Sequence, residues 1–123
     1  MVTIRHLTVE QAKKCMENRE FTPDIIQSKP YVAVVLTQSW CPQWQIMNMY
    51  LKEMVDVDLD IWVFLYDQSS IFTQFMTFKE TVFKNDQIPY IRYYHNGILI
   101  NESNLAEPLE FMQNFDKASP IST

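Results

Sequence analysis

Glycine is nearly absent from this chain, which has one glycine in 123 residues. Phosphate-binding loops need several glycines, so Gly-rich nucleotide sites are excluded. Cysteine is also scarce: Cys15 and Cys41 are too few for a disulfide scaffold, and we expect both to be free thiols. The two histidines, His6 and His95, lack any ligand spacing, so we expect neither a metal ion nor a cofactor.

The chain also has few positively charged residues and lacks long apolar runs. The chain has 10 Lys and Arg against 15 Asp and Glu, which excludes the basic patch that a nucleic-acid surface needs. The acids concentrate in 51–60 and in the last third, which we interpret as solvated surface. No stretch approaches the ~20 apolar residues of a membrane span, and no signal peptide is visible. These absences predict a cytoplasmic single domain that binds neither nucleic acid nor membrane.

The first half of the chain contains a pattern of strand, helix and strand. Residues 31–36 (YVAVVL) and 61–66 (IWVFLY) are short apolar runs, which predicts two buried strands. Apolar residues recur at helical spacing from Pro42 onward, and proline suits the first position of a helix. We expect the two strands to be parallel, because a helix connects them.

The second half contains a hairpin signal. Asn96-Gly97 separates two apolar runs, 89–95 and 98–101, and both positions of such a turn need positive φ. These runs are therefore predicted to be antiparallel strands. The remaining expected elements are an edge strand at 2–7, helices near 8–19, 22–28 and 70–84, a closing amphipathic helix within 104–116 that begins near Pro108 or slightly before it, and a frayed tail at 118–123.

Four short motifs occur at the ends of these predicted strands. Trp40-Cys41 follows the first buried strand, Asp67 follows the second, Ile88-Pro89 opens the next, and Asn96-Gly97 forms the hairpin. In this order the chain resembles the thioredoxin family over nearly its whole length. The resemblance implies a thioredoxin-like α/β fold, a central mixed β-sheet with helices on both faces. It also implies a cis peptide bond at Ile88-Pro89 facing Cys41.

Three departures from the family pattern concern the cycling of an intramolecular disulfide. Trp44 stands where the family has its resolving cysteine, and Val35 stands where it has a buried acid. The lysine that pairs with this acid has no counterpart in 61–66. Cys15 lies on the first helix, which in this fold is away from the active-site end. Ordinary dithiol oxidoreductase activity is therefore not expected. The Cys-Pro-x-x spacing is also similar to that of glutaredoxins, but Trp40 argues against that subfamily.

Two functions are left open by these residues. In the first, Cys41 is the catalytic residue of a single-thiol disulfide exchange, since the first turn of a helix favours a thiolate. Its partner is a protein or peptide thiol or disulfide, held by Pro89 and Tyr90, while Trp40 shields the sulfur. The second is a redox-inactive module that binds another protein through the surface of Trp40, Trp44 and Tyr90.

Trp44 itself has two interpretations. Its ring either faces solvent beside Trp40 and Tyr90 as part of a substrate-binding surface, or it folds inward and fills the space of the missing thiol. Cys41 likewise is either reactive or an inert small hydrophobe. The sequence does not decide between them.

Overall fold

A computed structural model describes residues 2–54 and 57–116, so the predicted tail at 118–123 lies outside the described residues. The elements follow the predicted order, with a short 3₁₀ turn after the third strand. The strands are β1 (Val2–His6), β2 (Tyr31–Thr37), β3 (Leu59–Leu65), β4 (Tyr90–His95) and β5 (Ile98–Ser103), and the helices are α1 (Val9–Asn18), α2 (Pro23–Ile26), α3 (Pro42–Glu53), α4 (Phe72–Thr81) and α5 (Pro108–Asp116). None of the helices in this described part is long and apolar enough to cross a membrane.

The five strands form one mixed sheet in the order β1-β3-β2-β4-β5. The parallel pairing of β2 with β3 and the antiparallel pairing of β4 with β5 confirm both predictions. β2 is the central strand, which explains its unbroken apolar run, and β1 lies at an edge as expected. In this register Val35 lies between Val63 on β3 and Ile91 on β4.

Helices cover both faces of the sheet, and each face has its own core. On one face α1, α2 and α4 pack in what we call the α1/α2/α4 core. On the other face Trp44, Met47 and Leu51 of α3 meet Phe111 and Phe115 of α5 in the α3/α5 core. Successive residues of a strand point to opposite faces, so each strand contributes alternately to the two cores.

The hairpin between β4 and β5 turns at Asn96 and Gly97, which have φ values of 51° and 79°. Both positive values fit the turn predicted from this pair. A Cβ at Gly97 would lie 2.5 Å from the side-chain nitrogen of Gln27. The single glycine of the chain is therefore required by backbone conformation and by close packing together.

The helices are shorter than the sequence pattern predicted. The helix expected at 70–84 is α4, Phe72–Thr81, whereas the closing helix begins at Pro108, where its start is expected. Proline at this start supplies a suitable φ and needs no hydrogen-bond acceptor. Helix boundaries are set by capping contacts as well as by apolar periodicity, which accounts for these differences.

Candidate active site

Cys41 lies at the junction of β2 and α3, in the N-cap position of the helix. Its carbonyl oxygen accepts the first intrahelical hydrogen bond, from the Gln45 N–H at 3.0 Å. Its Sγ lies 3.5 Å from the side-chain oxygen of Gln43 and 3.9 Å from the carbonyl oxygen of Ile88. The residue is only 1% exposed, and Gln43, whose side chain reaches the sulfur, is exposed.

The loop before Cys41 is held in place by a carboxylate from the end of β3. Asp67 accepts hydrogen bonds from the Ser39 N–H at 2.8 Å and from the Ser39 hydroxyl at 2.6 Å. Trp40 is 62% exposed, and its indole N–H donates to the side-chain oxygen of Gln38 at 2.6 Å. The position of the cysteine is thus fixed from both sides, by Asp67 before it and by α3 after it.

The Ile88-Pro89 peptide bond is cis, and the Ile88 carbonyl faces the sulfur of Cys41. Pro89 is buried, and its carbonyl oxygen accepts a hydrogen bond from the Asn104 side chain at 3.2 Å. The same amide group donates to the side-chain oxygen of Asn85 at 2.9 Å. Asn104 therefore ties the segment around Pro89 to the end of β5.

Lys79 holds the segment that leads to Pro89 from the side of α4. Its ammonium group donates to the carbonyl oxygens of Asn85 and Gln87, each at 2.8 Å. The side chain is 1% exposed. Burial lowers the pKa of Lys79 to about 8, although the carboxylates of Glu80 and Asp86 act in the opposite direction.

This lowered pKa predicts a pH-dependent stability difference between the parent and Lys79→Met. Between about pH 8 and the ordinary lysine value of 10.5, the folded protein has lost this proton while the unfolded chain still holds it. The stability contributed by the group is therefore lowest below pH 8 and increases as the pH rises through this window. From pH 7 to 9.5 we expect the parent to gain about 1–2 kcal/mol relative to the variant.

Urea unfolding of both proteins at the two pH values measures this difference. Other groups that titrate in this range are the same in both proteins, so their effects cancel. A constant difference between parent and variant would contradict the assignment.

The structure decides between the two interpretations of the Trp44 side chain. The ring is 4% exposed and packs in the α3/α5 core together with Cys41. The prediction that Trp44 presents a binding surface to solvent is therefore wrong for its side chain. Residue 44 lies one helical turn from the N-cap, on the side of α3 that faces the sheet. Burying the large ring there is more favourable in free energy than leaving it in solvent.

Tyr90 also differs from the expectation. The side chain is fully buried, and its hydroxyl donates to Glu102 and accepts a hydrogen bond from Arg92 at 2.8 Å. Its ring belongs to the α1/α2/α4 core, on the face of the sheet opposite to Cys41. Alternation along β4 forces this orientation, because Ile91 next to it points into the α3/α5 core. Of the three aromatic residues proposed as a surface, only Trp40 faces solvent.

The floor under Cys41 is apolar. Val35 and Val63 pack in the same core as the sulfur. The buried charged side chains among the described residues belong to the opposite face of the sheet, and they are Asp60, Lys79 and Arg92. In this described part of the chain, no buried acid or base is therefore placed to carry a proton to or from a thiol at position 44. This agrees with the replacement of the family's buried acid by Val35 and with the missing lysine on β3.

Cys15 does not share the site of Cys41. It is fully buried in the α1/α2/α4 core, so the sheet lies between the two sulfur atoms. Burial, reinforced by the Glu20 carboxylate, raises the pKa of the Cys15 thiol well above its ordinary value. Cys15 is therefore neither a resolving thiol nor a competing nucleophile.

Sequence reasoning missed several residues that build this site. Gln43 reaches the sulfur, while Ser39, Asn104 and Lys79 position the segments around Cys41 and Pro89. A signal existed for Ser39, because a serine two residues before the cysteine can pair with the acid that follows the neighbouring parallel strand. The contacts of Lys79 and Asn104 are made to backbone carbonyls of loops, for which no side-chain pattern exists.

In comparisons with known proteins, the chain matches solved structures but neither a family model nor a curated protein. Thioredoxin O1 from Arabidopsis thaliana is 12% identical with a TM-score of 0.65, covering 93% of this chain and 96% of its own. Thioredoxin f2 from Chlamydomonas reinhardtii is 14% identical with a TM-score of 0.65, covering 96% and 98%. A mutated buckwheat glutaredoxin is 13% identical with a TM-score of 0.53, covering 91% of each chain. The chain therefore has the thioredoxin-like α/β fold, a five-stranded mixed sheet with helices on both faces.

Proposed function

We propose that this protein exchanges disulfides through a single thiol, that of Cys41. The observation that supports the proposal is the placement of its sulfur. Sγ lies at the N-terminal end of α3, 3.9 Å from the carbonyl of the cis Ile88-Pro89 peptide. The Cys41 thiol contacts two oxygen acceptors, those of Gln43 and Ile88; when the Gln43 side chain moves away, the N–H groups of the first turn of α3 are available to stabilise the thiolate, which is the nucleophilic form of cysteine.

The exchange proceeds in two balanced steps. The Cys41 thiolate attacks one sulfur of a partner's disulfide, the partner's S–S bond breaks, and the released sulfur leaves as a thiolate that takes a proton from water. Cys41 is then part of a mixed disulfide. A low-molecular-weight thiol of the glutathione class then loses its proton to water, and its thiolate attacks the partner-derived sulfur of this bond. A new disulfide forms between these two sulfurs, the bond to Cys41 breaks, and the Cys41 thiolate is released. With Trp44 in place of a second thiol, an external thiol must perform this release.

Access to the sulfur requires a side-chain movement. Cys41 is 1% exposed, and the long, exposed side chain of Gln43 reaches over Sγ. Rotation of an exposed glutamine is fast compared with thiol exchange, so it uncovers the sulfur without unfolding the helix. Trp40, held by Gln38, lies next to the cysteine in the chain and supplies an exposed ring face for an incoming peptide.

The test is capture of the intermediate and measurement of turnover. The protein is incubated with a peptide carrying a glutathione mixed disulfide, and the adduct is located by mass spectrometry. The parent and Cys15→Ser are expected to release one peptide thiol as Cys41 takes up one glutathionyl group, and to turn over, with formation of oxidised glutathione, when glutathione is added. With Cys41→Ser the peptide thiol is expected to appear at the uncatalysed rate, at least about 100-fold more slowly than with the parent, because the variant has no Cys41 thiolate to attack the disulfide.

A second candidate function is binding without redox chemistry, and the burial of Cys41 favours it. A thiol packed with Trp44 above Val35 behaves as a small apolar side chain unless the site opens. If the folded parent forms no adduct and Cys41 reacts with iodoacetamide as slowly as Cys15, this second function is supported and the exchange proposal is wrong.

A further inference from the structure

Apart from the cysteine site, α3 and α5 leave large apolar side chains in contact with solvent. Their inward residues build the α3/α5 core, whereas four outward residues are half exposed or more. These are Ile46 and Met49 of α3, Leu105 before α5 and Leu109 in its first turn, and we call them the α3/α5 surface. Leu109 is 71% exposed, an unfavourable position for a leucine in an isolated protein.

Two grooves lie on this surface. The first, of about 300 Å³, lies between α3 and the start of α5 and is lined by Ile46, Tyr50 and the segment 105–108. The second, of about 510 Å³, runs along α5 and is lined mainly by apolar and aromatic side chains, among them Leu109, Met112 and Phe115. Each groove is open and large enough to accept apolar side chains of a partner.

The first groove also contains an unpartnered hydrogen-bond donor. The Tyr50 hydroxyl oxygen is buried and has no hydrogen-bond partner in the part of the chain that the structure describes. Burial, with Tyr93 and the carboxylates of Glu107 and Glu110, keeps the pKa of Tyr50 above its ordinary value, so the hydroxyl retains its proton. A buried donor without an acceptor is costly, so a small shift of the Tyr50 ring that brings the hydroxyl to an acceptor of a bound partner removes this cost.

The exposed charges that the structure describes on and next to α5 are all negative, whereas Lys52 lies exposed on α3 and Lys29 pairs with Asp58 at the second groove. Glu107, Glu110 and Asp116 are exposed on and next to α5, and among the described residues none of them makes an ion pair. Among the residues that the structure describes, no lysine or arginine lines either groove. The surface therefore combines apolar contacts with a negative rim, which is complementary to a positive, amphipathic partner.

We propose that the α3/α5 surface binds a cationic amphipathic helix of another protein. The two helices that form the surface have satisfied their own backbone hydrogen bonds, so recognition must use side chains rather than strand pairing. An amphipathic helix presents apolar residues at i, i+3, i+4 and i+7 to the grooves, and its Lys and Arg reach the carboxylates of the rim. This binding does not depend on the thiol chemistry of Cys41.

Other occupants fit the surface less well. A second copy bound about a two-fold axis would bring a second negative rim to the same interface, which is unfavourable. An anionic membrane would be repelled by the same carboxylates. A cationic helix satisfies both the apolar and the charged components.

The experiment measures fluorescence anisotropy with a fluorescein-labelled peptide of about 18 residues, built from Leu and Lys with Leu at helical spacing. The control peptide has the same composition in a scrambled order. The parent is expected to bind the amphipathic peptide and not the scrambled one. Ile46→Ser with Leu109→Ser should weaken binding at least about tenfold, because two anchors are lost. Ile98→Ser, which alters a similarly exposed residue on β5 (66% exposed), should have no effect.

A second pair of substitutions tests the charged rim. Glu107→Gln with Glu110→Gln should weaken binding at low salt and flatten its dependence on salt concentration. Equal binding of the two peptides, or unchanged binding by the serine variant, would overturn the proposal. Dimerisation of the parent that Leu109→Ser abolishes would also overturn it, since the occupant would then be a second copy. Cys41→Ser should bind the peptide like the parent, so the outcome is separate from that of the exchange assay.

Discussion

Replacing Arg92 with methionine is expected to lower the free energy of unfolding by about 3 kcal/mol. The guanidinium group is buried in the α1/α2/α4 core and donates three hydrogen bonds. They go to the Tyr94 hydroxyl at 2.7 Å, to the Tyr90 hydroxyl at 2.8 Å and to the Glu20 carboxylate at 2.6 Å. Its planar group also lies 3.9 Å from the centre of the Phe83 ring.

Methionine retains apolar volume but none of these donors. Glu20 would keep two hydrogen bonds, from the Tyr94 hydroxyl at 2.6 Å and from the Phe21 N–H at 2.7 Å. Because Glu20 is about a third exposed, water compensates part of the loss, which keeps the effect at the low end for a broken buried pair. Urea unfolding monitored by circular dichroism gives the value.

A double-mutant cycle separates the ion pair from the rest of the network. Glu20→Gln in the Arg92→Met background should cost less than Glu20→Gln alone, with a coupling of about 1–2 kcal/mol. Arg19→Met, in an exposed position, should change stability by less than about 0.5 kcal/mol. Equal costs of Arg92→Met and Arg19→Met would show that the buried network does not stabilise the fold.

The sheet of this protein was predictable from its sequence because its signals are local. The apolar runs at 31–36 and 61–66 require burial on both faces, and Asn96-Gly97 is one of few pairs that tolerate the turn it forms. These features depend on residues next to one another in the chain. They therefore specified β2, β3 and the hairpin, and with them the pairing of the strands.

The orientation of the aromatic side chains was less predictable. Tyr90 was assigned to the site because it follows Pro89, yet strand alternation sends its ring to the opposite face of the sheet. This error was avoidable, since Ile91 and Tyr93 mark the face that meets α3 and α5. Trp44 was a different case, because its burial depends on the space left by residues distant in sequence, such as Val35.

The polar contacts around the candidate site could not be read from the sequence at all. Lys79 lies in an ordinary amphipathic helix, and its partners are carbonyl oxygens of residues 85 and 87. A backbone acceptor leaves no trace in the residue type. The buried position of Lys79 and the network around Arg92 therefore emerge only when the helices are packed on the sheet.

Trp44→Cys is expected to give a protein that forms a disulfide between residues 41 and 44. The two positions are three residues apart, at the N-cap and the first turn of α3, a spacing that suits such a bond. Both residues also pack in the same core, on one side of α3. With a dithiol reductant, the variant should reduce a disulfide substrate faster than the parent, because it no longer needs an external thiol for release.

The same substitution should destabilise the reduced protein. Removal of the buried indole leaves a cavity, and the expected cost is about 3–5 kcal/mol, as for other buried tryptophans. Trp44→Ala is the matched control, since it creates the same cavity without a thiol. Unfolding curves of the two variants under reducing conditions should nearly coincide, while oxidation should stabilise the Trp44→Cys protein alone.

The gain in activity should be limited by proton transfer. Val35 and Val63 form an apolar floor beneath residue 44, and within 2–54 and 57–116 no buried acid on this face can carry a proton to or from the new thiol. Introducing Val35→Asp into the Trp44→Cys variant should therefore increase turnover further, provided that circular dichroism shows a folded protein. Mass spectrometry after mild oxidation identifies the 41–44 bond. A folded variant that forms no such bond would show that the backbone at this helix start no longer holds the two positions at bonding distance. Binding without redox chemistry would then be the function that the site supports.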